Sequence, residues 1–297
     1  MSQTREICLY ALLAVLIGTA ASVAANLFVQ GGAIFIWLSE ILRSVVSAAS
    51  FDYAPLVQAL CLSIGALMIY QIRRRFGVTK WSGPAESMFA LQYRAGPPLN
   101  TRIGAGSVCA ALVACGCGAP VGQYGPVIHL GATLSQALRN RIRRPLRPDI
   151  MLACGISGGI TGAFNAPFAA AAFVFEVMLR RYSAPVFAAV VLAAGSAYVV
   201  NEALFDHRLF LALAISQPTL EAGILASLLA PLCALIAWCY IRSLHTMQAW
   251  SSKSTLSPGL KIAACALACA LIGGLVPELL GLGGQAIQDL LSGSFTL

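Results

Sequence analysis

Charge is the scarcest commodity in this sequence. Only 10% of its 297 residues are Asp, Glu, Lys or Arg, where soluble domains carry about 25%. With 59% hydrophobic residues and a mean hydropathy of +0.81, that shortage excludes a soluble globular domain and indicates a polytopic membrane protein. Histidine is also rare: His129, His207 and His245 are scattered, and no nucleophile, base or metal constellation accompanies them. The chain is therefore read as no enzyme and as needing no cofactor. Aromatic residues do not interleave with the basic ones, so the net charge of +8 does not indicate nucleic acid.

The basic residues fall instead into short interhelical clusters, at Arg73-Arg74-Arg75, from Arg139 to Arg147 and at Arg180-Arg181. Such clusters mark loops retained on the cytoplasmic side of a cell membrane, inner or plasma. Cysteine is plentiful, yet Cys8, Cys61, Cys154, Cys233, Cys239, Cys265 and Cys269 lie in apolar runs, where the thiol acts as a small hydrophobe. Cys115-Gly116-Cys117 resembles half a metal site, but the sequence positions no second cysteine pair, so no metal is expected. The first apolar stretch runs from Ile7 past Val23, breaks at Gly31-Gly32 and resumes through Val46. No cleavage pattern follows a short apolar core, so this stretch is read as membrane helix and not as a removable signal.

Apolar length and breakers predict helices near 7–29, 33–50, 54–75, 85–93, 102–115, 126–140, 150–160, 168–181, 184–204, 219–245, 259–275 and 284–292. Several fall short of the roughly 20 residues that a bilayer crossing needs. These must be half-helices or re-entrant pieces, tolerated in a membrane only where they line a protein cavity, as in channels and transporters. Small residues in Gly104-Ala105-Gly106 and from Ala169 to Ala172 suit close helix packing in lipid.

Three constellations sit on the ends of those pieces. Gly122-Gln123-Tyr124-Gly125-Pro126 precedes a helical run to Leu138: the glycines permit a tight turn, and Pro126 is preset for a first helical turn. Bare N–H groups and the positive end of the helix dipole make this a candidate anion site. Ser82-Gly83-Pro84-Ala85-Glu86 repeats the theme, with Ser82 serving either as a helix cap or as an anion contact and Glu86 complementing the dipole. Further on, the run from Gly158 to Gly162 and then Ala163-Phe164-Asn165-Ala166-Pro167 interrupts a helix. The apolar helix that follows carries the acid Glu176, which is read either as functional or as a structural pairing.

Together these motifs, with Phe173-Val174-Phe175-Glu176-Val177-Met178, resemble the first half of a CLC chloride channel or chloride/proton antiporter. The resemblance spans nearly the whole chain. It implies an all-α polytopic membrane protein of two inverted repeats, with broken and re-entrant helices whose N-termini converge on chloride, assembled as a homodimer in lipid. Residues 7–204 would form the N-terminal helix and first repeat, and about 218–297 an incomplete second repeat. Gly284-Gln285-Ala286 echoes Gly83-Pro84-Ala85 and is taken as the start of that second repeat. The family's later pore motif is absent before Leu297, so the expectation is a chain truncated early in the second repeat.

The departures from the family pattern are informative. Where the resemblance places the gating glutamate stands Tyr124, and where antiporters carry an inner proton-transferring glutamate stands Val177, next to the family's structural acid, here Glu176. A phenol is neutral at pH 7 and valine cannot titrate, so a two-carboxylate proton relay has no chemical basis. The expected function is passive, proton-uncoupled movement of chloride or a similar small anion. Pore candidates are Ser82, Gly83, Gly122, Gln123, Tyr124, Gly125 and Pro126, with Tyr124 as gate; Val177 marks the lost proton entrance, and Glu176, Asn165 and Pro167 are structural. Two alternatives stay open at this point: a nonconducting half-length remnant or interaction subunit, and a proton-coupled or fluoride-type transporter.

Overall fold

A computed structural model describes residues 3–47, 54–93, 98–142, 146–205, 219–276, 279–283 and 287. Every regular element among them is helical. The chain divides into two compact units, one comprising Met1–Phe210 with Ile262–Leu297 and the other Leu211–Lys261.

The first unit opens with α1 (Gln3–Ser47) and α2 (Ala54–Phe76), followed by the short α3 (Pro84–Gln92), α4 (Thr101–Gly116), α5 (Tyr124–Arg141) and α6 (Pro148–Phe164). Next come α7 (Pro167–Phe173), which continues as a π-helical segment Val174–Leu179, and α8 (Ala184–Leu204). The second unit is dominated by α9 (Leu220–Lys253), an apolar helix that contains Pro231. After it comes α10 (Pro258–Leu275). Among the described residues five helical stretches are long and apolar enough to cross a membrane: Ile7–Leu38, Leu56–Phe76, Ala184–Leu204, Leu220–Lys253 and Pro258–Leu275. The expected short pieces are present as well, α3 with 9 residues and α7 with 7.

One expectation is corrected. Gly31-Gly32 does not break the first helix, which runs unbroken for 45 residues. Each glycine costs a helix about 1 kcal/mol relative to alanine, too little to stop a long one that is packed along its side. Here the missing side chain has a use, because Gly31 lies against Leu112 of α4. Other boundaries follow from chain chemistry. Proline occupies the first turn of α3, α6, α7 and α8, where its missing N–H costs nothing. Asn100 caps α4 by accepting from the amides of Arg102 and Ile103. Asn165, with φ 53° and ψ 32°, ends α6 in the left-handed conformation that asparagine tolerates. The helix expected near 284–292, the Gly284-Gln285-Ala286 echo and His207 lie outside the described residues.

The centre of the first unit is α6, buried continuously from Asp149 to Gly162. A helix apolar on all sides is stable only when it is surrounded, and α1, α5 and α8 surround it. Leu13, Ile17, Ile150, Met151, Ile156, Val174 and Val190 fill the shared core. Helix approach relies on small residues: Gly158 and Gly162 of α6 lie directly on Gly18, Ala21, Ser22 and Ala25 of α1, in the small-residue pattern typical of helix pairs in lipid. The same neighbourhood holds a buried polar network. Ser22 Oγ donates to Asn201 Oδ1, Asn26 Nδ2 donates to the same oxygen at 2.8 Å, and Asn201 Nδ2 reaches the carbonyls of Thr161 (3.0 Å) and Gly162 (3.3 Å). Asn165 is tied in through Asn201 Nδ2 at 3.3 Å and itself donates to Glu202 at 2.8 Å.

Candidate functional site

α5 begins at Tyr124, two residues before the expected start, so Pro126 is its third residue. The first amides of a helix have no intrahelical acceptor, and at this start the third residue, Pro126, lacks an N–H altogether, while the Val127 amide closes the first turn on Gln123 O at 3.2 Å. Gln123 is buried and makes no capping bond. Gly122 just ahead is open, with nothing within 4 Å of where a side chain would start. The helix start therefore presents donors and the positive dipole end without a carboxylate of its own.

The N-termini of α5 and α3 meet. Gly125 packs on the ring of Pro84, where an added Cβ would lie 3.3 Å from Pro84 Cγ. One turn deeper, Ser87 Oγ and His129 Nδ1 are 2.7 Å apart, both buried. At the mouth of α3 the cap is Gly83 and not Ser82. Nor is the Gly83 amide open, because it donates to Glu86 Oε2 at 2.9 Å, so the carboxylate of the first turn takes the donor a pore contact would need. Ser82 is half-buried, and its backbone N–H is held by Ser107 of α4 at 2.9 Å; its hydroxyl has no hydrogen bond among the described residues.

The third segment to arrive is the α6–α7 joint. Phe164, the last residue of α6, stacks on Tyr124 with ring centroids 4.0 Å apart and planes 23° from parallel. Aromatic stacking is worth about 0.5–1.5 kcal/mol beyond the area it buries. The joint that aims Phe164 is fixed by left-handed Asn165, by Pro167 opening α7 and by the Asn201 amide on the last carbonyls of α6. The structure thus brings together Ser82, Gly83, Gly122, Gln123, Tyr124, Gly125 and Pro126 and adds Phe164.

Glu176 and Val177 stand apart, on the π-helical turn at the far end of α7, and both are exposed. Glu176 forms no ion pair or hydrogen bond among the described residues, so it is not the buried pairing that a structural acid implies. A buried carboxylate occurs elsewhere. Asp149, 3% exposed, accepts from Arg147 Nε (3.2 Å) and Nη2 (2.7 Å) and lies 3.5 Å from Arg181 Nη2. Arg181 also donates to the Leu91 carbonyl, and Gln92 to that of Met178, so this cluster ties the ends of α3 and the π-helical segment to the start of α6. Sequence reasoning passed over Asp149, Ser22, Asn26 and Asn201. Polar side chains within long apolar helices are the signal that marks the last three. Among the described residues no group of three or more His, Cys, Asp or Glu is placed to hold a metal.

A family model described as voltage gated chloride channel matches residues 62–297. The voltage-gated ClC-type chloride channel ClcB of Yersinia pseudotuberculosis is 25% identical over 197 residues, covering 65% of this chain and 47% of the relative. The H(+)/Cl(-) exchange transporter ClcA of Yersinia pestis is 28% identical over 152 residues, covering 47% of this chain and 30% of the exchanger. The chain thus spans about half the length, or less, of these curated relatives. Among solved structures, a slow cyanobacterial Cl-/H+ antiporter superposes with TM-score 0.81 at 20% identity, over 94% of this chain and 67% of that one. A CLC-type fluoride/proton antiporter superposes with TM-score 0.76 at 20% identity, over all of this chain and 73% of that one. At these identities the structural likeness establishes the fold.

Proposed function

The chain belongs to the voltage-gated chloride channel family, and from that premise we propose that it contributes to a passive, proton-uncoupled path for chloride or a similar small anion. The observation that carries this reading is Tyr124, which occupies the first position of α5 between Gly122 and Gly125 and is held there by Phe164. The Gly125 amide, the Ser82 hydroxyl and the Gln123 side chain supply hydrogen-bond donors of the kind that replace part of an anion's hydration shell. At the start of α5 dipoles and not full charges would meet the anion, which permits release as well as binding.

The proton side of the proposal rests on chemistry. With tyrosine at 124 and valine at 177, both carboxylates of a two-carboxylate proton relay are missing. Glu176 neighbours Val177 beyond the end of α7, about 13 Å along the chain from Pro167 at helical rise, with no titratable group on the stretch between Pro167 and Glu176. The assembled protein is proposed to be a homodimer in a cell membrane. Relatives bear the names of both a channel and a proton exchanger, so the discriminating experiment is coupling. In vesicles with an imposed chloride gradient and no other driving force, chloride flux is expected without proton movement. Reproducible uphill proton pumping driven by chloride would overturn the proposal.

A further inference from the structure

Away from the Tyr124 region, the starts of α1, α6 and α8 enclose a cavity of about 510 Å³. Its walls are apolar: Ile7 and Ala11 from α1, Ile150 from α6, and Pro185, Ala188 and Leu192 from α8. Two polar groups line it, the Arg147 guanidinium and the Tyr10 phenol. Ile7 is 63% exposed and Leu192 43%, so the hollow opens onto the flank of the helices, where a membrane protein meets acyl chains. It lies at the end of the unit that carries the Arg139 to Arg147 and Arg180-Arg181 clusters, the end that basic residues mark as cytoplasmic.

The charge at this spot is unbalanced. Among the described residues Arg147 and Arg181 share the carboxylate of Asp149, so this trio leaves one positive charge uncancelled. Arg147 lines the cavity and spends Nε and Nη2 on Asp149, and its Nη1 makes no hydrogen bond among the described residues. The hydrogen bond and the charge of Asp149 push the Arg147 pKa up, so the guanidinium stays protonated at any physiological pH. Guanidinium groups are weakly hydrated and match phosphate oxygens in shape, and basic pockets between helices on the cytoplasmic side suit anionic headgroups.

We propose that this hollow is a binding site for one anionic phospholipid of the cytoplasmic leaflet, with its phosphate on Arg147 and Tyr10 and an acyl chain along Ile7, Ala188 and Leu192. Apolar walls continuous with the flank select a lipid over a free phosphate, and the uncancelled charge selects an anionic head over a zwitterionic one. The site is independent of the anion path, because none of its residues belongs to the Tyr124 group.

The test is native mass spectrometry of the purified 297-residue chain in detergent, titrated with phosphatidylglycerol or phosphatidylcholine of identical acyl chains. The first phosphatidylglycerol is expected to bind about tenfold more tightly than the first phosphatidylcholine. Arg147→Gln should remove that preference while Arg147→Lys keeps most of it. Ala188→Trp, at an exposed position that leaves the Arg147–Asp149 pair intact, should fill the hollow and weaken the tightest site for both lipids. Equal binding of the two lipids to the wild type, an unchanged preference in Arg147→Gln, wild-type lipid binding in Ala188→Trp, or displacement of the lipid by soluble glycerol phosphate would each overturn the proposal.

Discussion

Adding one methyl group at Gly158 tests the seam on which the fold rests. An alanine there would place its Cβ 2.6 Å from the Gly18 carbonyl oxygen, 2.8 Å from Gly18 Cα and 3.1 Å from Ala21 Cβ. Favourable contacts begin near 3.5 Å, so the new carbon is about 0.9 Å too close. What it meets is mostly backbone, which cannot swing aside as a flexible side chain can. α1 and α6 must part by roughly 1 Å, and a gap of that size forfeits a quarter to a half of each dispersion contact it spans. Overpacking costs about 1–3 kcal/mol, and a backbone obstruction belongs at the upper end. Alanine recovers about 1 kcal/mol of helix propensity, so the net expectation is a loss of about 2 kcal/mol. Gly195→Ala in α8 is the control, because nothing lies within 4 Å of its added Cβ and only the propensity gain remains. Unfolding of the purified protein in mixed detergent micelles measures both variants. If Gly158→Ala is as stable as Gly195→Ala, the close α1–α6 approach is wrong.

The site offers further outcomes. Tyr124→Ala, which removes the ring stacked on Phe164, is expected to raise anion flux in reconstituted vesicles several-fold, and Tyr124→Phe isolates the hydroxyl; unchanged flux and selectivity in both would reduce Tyr124 to packing. Asn201→Leu removes the oxygen that accepts from both Ser22 and Asn26, which keep their bonds to the Ala197 and Ser22 carbonyls, and frees the end of α6, so a loss of about 1–3 kcal/mol is expected in the same unfolding assay. A variant as stable as the wild type would show that water or lipid substitutes for the network.

Much of the fold was legible because apolar length and proline placement act locally. The bounds of α8 were read correctly to the residue, and those of α4, α6 and α10 to within a few. The misreading at Gly31-Gly32 came from a tertiary effect: a local penalty of about 1 kcal/mol per glycine is offset by packing on Leu112, which no window of sequence contains. Pore candidates were legible as residue types at helix starts, but which donors remain available was not. That Glu86 takes the Gly83 amide is a matter of rotamer and distance. The Phe164–Tyr124 stack and the Asn201 network join residues 40 and 179 positions apart, where spacing carries no signal.

The stack between Tyr124 and Phe164 also bears on electricity. Moving one elementary charge through a membrane potential of 100 mV takes about 2.3 kcal/mol, and a carboxylate swinging in and out of an anion path does a share of that work on every opening. Two facing aromatic rings carry no net charge. If this stack is what opens, the potential does no work on its rings, and the parting of the two faces is governed by the area they bury together with a stacking contribution of about 0.5–1.5 kcal/mol. Such a gate would draw none of its opening energy from the potential through its own side chains, and any voltage dependence would have to come from the charge of the anion itself.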